Sequence, residues 1–172
     1  MSTITVKELA APTGFDLKIA AGETLDLKSQ GTVTMPAGAV LQVVHGMSET
    51  TVNTTSNSNV STGITATITP SSTSSKIWIM SKFTGRGSAS TDTLSSIYRG
   101  TVSGTNLTGN ASTKFNNQTS EPSDLVNTHL DSPNTTSATT YTVAFKSSVN
   151  GQTSIANDAS TEGTITLMEV AG

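Results

Sequence analysis

The chain contains no cysteine, which excludes disulfide staples and thiolate metal sites. Only 12% of its 172 residues are charged and 4% are aromatic; an ordinary soluble domain carries about 25% charged residues. The net charge is −3, so no basic surface for nucleic acid is expected. No stretch approaches the ~18 consecutive apolar residues of a membrane-spanning helix, and no membrane insertion is expected. The first residues, MSTITVKELAAPTGFDLK, lack a basic start followed by an apolar run, so no secretory leader is expected. His45 and His129 are the only histidines, and neither they nor the scattered carboxylates show metal-ligand spacing. No metal or other cofactor is expected. A G-x-S-x-G nucleophile elbow is missing as well.

Ser and Thr fill the space, at about a third of the chain. Such a composition can mean disorder, but disordered chains are poor in β-branched residues and usually carry high net charge. Here Thr, Val and Ile are abundant, and these residues fit a pleated, half-buried surface. The reading is an all-β protein of one domain with a short appendage. Few large side chains leave each chain a thin core. At about 25 cal/mol per Å² of apolar area, small side chains stabilise weakly against ordering entropy. Burying further surface between identical chains is a common remedy, so a homo-oligomer is expected.

Residues 1–36 differ from the rest. Asp16-Leu17-Lys18 recurs as Asp26-Leu27-Lys28, and Phe15, Leu17 and Ile19 alternate, as do Leu25 and Leu27, then Val33 and Met35. Two copies fall short of a solenoid. The segment is read as an N-terminal arm with short strands, either flexible or ordering against neighbouring chains. Met35-Pro36-Ala37-Gly38 reads as a turn and a hinge. The domain, 37–172, then offers strands at 39–46, 64–68, 76–83, 93–99, 111–117, around 125–129, 139–147 and 163–170. In the strand at 76–83, Ile77, Ile79 and Phe83 share one face, Trp78 and Met80 the other; Tyr141, Val143 and Phe145 point inward. The last strand, GTITLMEV, is apolar on both faces, which marks a central strand or one lying against a partner. Ser132-Pro133-Asn134-Thr135 has a favourable β-turn composition. About eight strands separated by polar turns suggest a jelly-roll-like β-sandwich.

Candidate sites are few. Gly85-Arg86-Gly87 follows a strand with no helix behind it, a weak phosphate-loop signal. Glu121, Asp124 and Asp131 are close in sequence, and a paired-carboxylate site could be drawn from them. The polar stretch 48–62 reads as an exposed strand or loop; it and the polar loops at 101–110, 118–124 and 148–162 could gather at the ends of a sandwich, where loops carry binding. Arg86, Tyr98 and Arg99 are the candidate anchors for a glycan or protein ligand.

The combination TLDLKSQGTVTMPAGAVLQVV (24–44), ITPSSTSSKIWI (68–79), LDSPNTTSATTYTVAF (130–145) and TITLMEVAG (164–172) resembles a module of tailed-bacteriophage virion structural proteins. That module occurs in tail-fibre-like and capsid-decoration proteins. The resemblance implies a trimer-forming β-sandwich on the particle surface, made in the host cytoplasm, with an N-terminal attachment arm. It implies other virion proteins as partners; a host surface glycan or protein is the candidate ligand of the polar loops. No catalytic residues come with it, and no enzyme is expected. The leading expectation is a homotrimeric fibre-like appendage; the alternative is a capsid decoration (cement) protein that stabilises the phage head.

Overall fold

The chain divides into two units, Met1–Thr34 and Met35–Gly172. The computed structural model describes Ala21 and residues 35–172, apart from 89, 110–112 and 116–120. The arm expected at 1–36, with its paired Asp-Leu-Lys repeats, therefore lies almost wholly outside the described residues.

The described residues of the second unit form eleven strands: β1 (Val40–Ser48), β2 (Val52–Thr54), β3 (Val60–Ile68), β4 (Lys76–Gly87), β5 (Thr93–Arg99), β6 (Thr105–Asn106), β7 (Thr113–Phe115), β8 (Ser123–Asp131), β9 (Thr139–Ser147), β10 (Ser154–Ala156) and β11 (Gly163–Val170). A single 3₁₀ turn, Asp158–Ser160, separates β10 from β11. The strands expected at 93–99, 139–147 and 163–170 are found with those bounds. Of the strand expected at 111–117, the described part is β7. Two expectations need correcting. Gly85-Arg86-Gly87 is not a loop but the end of β4, held by pairing with β10. The polar stretch 48–62, read as an exposed strand or loop, holds β2, and the stretch 148–162 is not only a loop, because β10 lies within it and pairs with β2.

The strands form two antiparallel sheets. β1 and β2 follow one another along one edge, as do β10 and β11 beside them, and β6 and β7 both pair with β5. Taking each of these couples as one interrupted ribbon gives eight ribbons. The first sheet holds ribbons one, eight, three and six; the second holds two, seven, four and five. Ribbon one pairs with eight, two with seven, three with six, and four with five.

Alternation explains the core. Ile77, Ile79 and Phe83 of β4, Leu125 of β8, and Ile165 and Leu167 of β11 point inward from the first sheet. Ile64 and Ile68 of β3, Ile97 of β5, and Tyr141, Val143 and Phe145 of β9 meet them from the second. Phe83 and Phe145 join the sheets edge to face, with ring centroids 6.2 Å apart. A buried polar bond also crosses the core: Asn127 Nδ2 of β8 donates to Ser95 Oγ of β5 at 2.6 Å. β11, apolar on both faces, is central, lying between β1 and β4.

The Pro36–Ala39 turn closes with Ala39 N–H donating to the carbonyl of Pro36. Gly38 takes φ +86°, a conformation glycine adopts at no steric cost. The turn is then tied to the other end of the unit. Gly38 N–H donates to the carbonyl of Ala171, and Ala171 N–H to the carbonyl of Ala39, both at 2.8 Å.

Candidate functional site

Strand register decides where the nominated residues go. Asp131 ends β8 opposite Ile77, and Arg99 ends β5 opposite Tyr141. The three meet at one end of the sandwich. Arg99 Nε stands 3.1 Å from Asp131 Oδ2, and Nη2 donates to Oδ1 at 3.1 Å. From the core side the Tyr141 hydroxyl donates to Oδ2 at 2.7 Å. Asp131 is 5% exposed and Tyr141 fully buried. Burial first, then the hydrogen bond and charge of Asp131, push the Tyr141 hydroxyl far above the usual phenol range. The carboxylate has a cation on one side and a hydroxyl on the other, which is how an interior charge is tolerated.

Tyr98 lies next along β5 and is also buried. Its hydroxyl accepts from Asn59 Nδ2 at 2.9 Å and from Asn106 Nδ2 at 3.1 Å, linking the segment before β3 to β6.

Arg86 stands at the opposite end of the sandwich. From Ile77 to Arg86 along β4 is about 30 Å at the rise of a strand. So Tyr98 and Arg99 are brought together, and Arg86 is not among them. Arg86 faces Ile155 of β10, which in turn faces Asn53 of β2. Arg86 Nε lies 2.9 Å from Asp158 Oδ2, and Nη2 donates to Oδ1 at 3.1 Å. Asp158 is positioned by Asn157, which is fully buried and has φ +53°; asparagine is one of the few non-glycine residues enriched there. Asn157 Nδ2 donates to the carbonyls of Thr50 at 2.9 Å and Thr62 at 3.2 Å. Thr51 Oγ1 donates to the Asn157 carbonyl at 2.8 Å.

Two adjoining open depressions lie over this row. One is lined by Asn53, Thr54, Thr55, Thr153 and Ile155, the other by Arg86, Gly87, Ser88, Thr153 and Ile155. Together they form a shallow groove lined by hydroxyls, the Asn53 amide and Ile155 beside one guanidinium. Such a lining can exchange hydrogen bonds with a polar ligand. The loops around it are tied down: Ser147 N–H donates to Ser56 O, and Gly151 N–H to Thr55 O.

Asp124 and Asp131 stand seven residues apart on β8, roughly 23 Å. Asp124 pairs with Lys82 at 2.9 Å, both half exposed, and accepts from Thr84 Oγ1 at 2.9 Å. The hydrogen bond from Lys82 is the main reason its carboxyl is held below the usual range.

Sequence reasoning missed a third polar site. Glu169 of β11 is fully buried. Its Oε1 accepts from Ser71 N–H (2.7 Å), Ser71 Oγ (2.6 Å) and Ser75 Oγ (2.7 Å), and its Oε2 from Gln42 Nε2 (2.6 Å). Burial pushes its pKa up, but these donors outweigh it and hold the carboxyl below the usual range. The only signal in the sequence is one acidic letter at an inward position of TITLMEV. Asp158 and Asn157 were missed too, because 72 residues separate Asp158 from Arg86.

No family model matches the chain, and no curated protein matches it significantly.

Proposed function

We propose that this chain is a non-enzymatic structural protein of a tailed-bacteriophage virion, a homotrimeric fibre-like appendage on the particle surface. In this reading residues 1–36 dock to other virion proteins, and residues 37–172 form a jelly roll that projects outward. The observation that carries the reading is the pairing order of the eight ribbons: one with eight, two with seven, three with six, four with five. A single long antiparallel hairpin rolled up on itself gives that order, and jelly rolls are a recurrent building block of viral capsids. This is a likeness of architecture, so the placement on a phage rests on the sequence resemblance. The groove beside Arg86 is the candidate contact for a host surface glycan or protein. Three weak sites on one rigid trimer would raise effective affinity without any new contact.

Immunogold labelling of purified virions tests the reading. Label at the tail or its fibres supports it. Label over the heads replaces it with the capsid decoration reading, and particles free of label overturn both. Release of reducing ends from host polysaccharide incubated with the protein would overturn the non-enzymatic part.

A further inference from the structure

The two outer faces of the sandwich differ in kind. On the second sheet the outward pairs of β3 and β9 are Thr65 with Thr142 and Thr67 with Thr140. Thr65 and Thr67 are exposed, as outward polar positions of an antiparallel sheet in water are expected to be, while Thr142 is buried. The first sheet breaks the pattern. Val43, Met168, Trp78 and Leu130 occupy one continuous register row across β1, β11, β4 and β8. Val43 is 56% exposed, Trp78 49% and Leu130 48%. Met80, one step further along β4, is 44% exposed. β1, β4 and β8 carry seven of the nine large apolar side chains that are exposed among the described residues. The exposure is therefore a contiguous patch and not scatter, and contiguous patches mark interaction surfaces.

We infer that a second copy of this chain covers this face. The inference rests on the homo-oligomeric reading above and names the surface that it uses. Two observations favour a second copy as the occupant. The first is charge. The row through Trp78 and the next one, His45, Thr166, Met80 and Thr128, hold no Asp, Glu, Lys or Arg. Formal charge sits at the margins: Lys76 at one end, and Lys82 paired with Asp124 at the other. Copies of such a face gathered about the three-fold axis of a trimer meet without like-charge repulsion, and tryptophan and methionine at an uncharged centre inside a charged rim is the composition of a protein interface. The second is size. Four ribbons of about seven to nine residues measure roughly 19 Å by 25–30 Å in plan. With side-chain relief, that approaches the ~800 Å² each partner contributes to a stable interface.

Trp78 is the chain's only tryptophan, so its fluorescence reports on this face alone. The experiment compares the full-length protein with Met80→Lys/Leu130→Lys and, as a control on the other face, Thr65→Lys/Thr67→Lys. Native mass is read by light scattering, folding by circular dichroism, and coverage of Trp78 by acrylamide quenching. The wild type is expected to be a multimer with Trp78 protected. The Met80/Leu130 variant should remain folded, fall to the 17.6 kDa of one chain and lose its protection, with association weakened about 100-fold or more. The threonine variant should stay multimeric. If the Met80/Leu130 variant keeps both wild-type mass and protection, the face is not the interface, while the homo-oligomer stands. Dissociation by the threonine variant alone would move the interface to the other sheet and overturn the inference. A wild-type monomer with Trp78 exposed removes the homo-oligomeric reading itself. A monomer with Trp78 protected assigns the cover to the same chain and overturns the inference as well.

Discussion

Gln42 and Glu169 face each other across the β1–β11 ladder, and the side-chain amide of Gln42 donates to the carboxylate at 2.6 Å. The same amide donates to the carbonyl of Thr69 at 2.7 Å. Edge strand, central strand and the Ser71–Ser75 turn are thus joined through one buried anion.

That anion makes stability depend on acid. The folded state holds Glu169 below its usual pKa, so the unfolded chain binds the proton more readily. The stabilisation is complete above the ordinary carboxylate range and is lost as pH falls through that range toward the folded value. Glu169→Gln places an amide among donors and is expected to cost about 1–3 kcal/mol at neutral pH. It should also flatten the acid limb of the stability profile. Urea denaturation of both proteins at a series of acidic pH values checks this; parallel profiles would refute it. The Lys82–Asp124 pair is half exposed and should add little to the limb, because solvent screens such pairs.

Tyr141 sets the alkaline side. Its hydroxyl is raised far above the phenol range by burial and by Asp131. The stability linked to it is whole below that range and falls as pH rises through it, because the unfolded chain loses the proton first. Tyr141→Phe keeps the ring and leaves Arg99 on Asp131. A loss of about 1 kcal/mol at neutral pH is expected, together with a shallower alkaline decline. The difference between wild-type and variant denaturation curves should shrink as pH rises; a constant difference would count against the assignment.

Asn157 serves two needs at once, a left-handed backbone and two hydrogen bonds from its amide. Asn157→Ala loses both, and about 2–4 kcal/mol of destabilisation is expected. Asn157→Gly relieves the backbone but not the bonds and should cost less. Equal losses in the two variants, measured by thermal unfolding, would show that the backbone conformation contributes nothing.

Gly46 and Gly85 are required for space. A methyl group on Gly46 would run into the backbone carbonyl of Thr65, where β1 passes β3. On Gly85 it would meet the end of the Leu125 side chain. Backbone cannot give way and a leucine tip can, so Gly46→Ala should destabilise by about 1–3 kcal/mol and Gly85→Ala by less. The reverse order in melting temperature would contradict this packing.

The long core strands were legible because their side chains alternate. Tyr141, Val143 and Phe145 already give one face of β9, and Ile77, Ile79 and Phe83 that of β4. β10 was not legible, and β2 was legible only as an alternative to a loop. Each is three residues long, and pairing rather than hydrophobic pattern makes it a strand. The continuation of β4 through Gly85-Arg86-Gly87 was hidden for a related reason, since glycine signals a turn unless a neighbouring strand holds it extended. Arg86, Tyr98 and Arg99 could be nominated from residue type, but not their partners. Asp158, Asn59, Asn106 and Asp131 reach them through register and loop closure over 8 to 72 residues. The exposed row from Val43 to Leu130 belongs to the same class, because each residue is an ordinary outward position on its own strand and only the register joins them.

The two hydrogen bonds between residues 38–39 and Ala171 give the unit a mechanical direction. Tension entering before residue 39 and leaving at Gly172 opens the β1–β11 ladder from its Val40–Val170 end, one pair after another. Tension leaving instead at the far end of the sandwich loads all eight pairs of that ladder in shear, so they must fail together. Held by its N-terminal side and dragged from its tip, the sandwich is strong; prised apart at its base, it unzips.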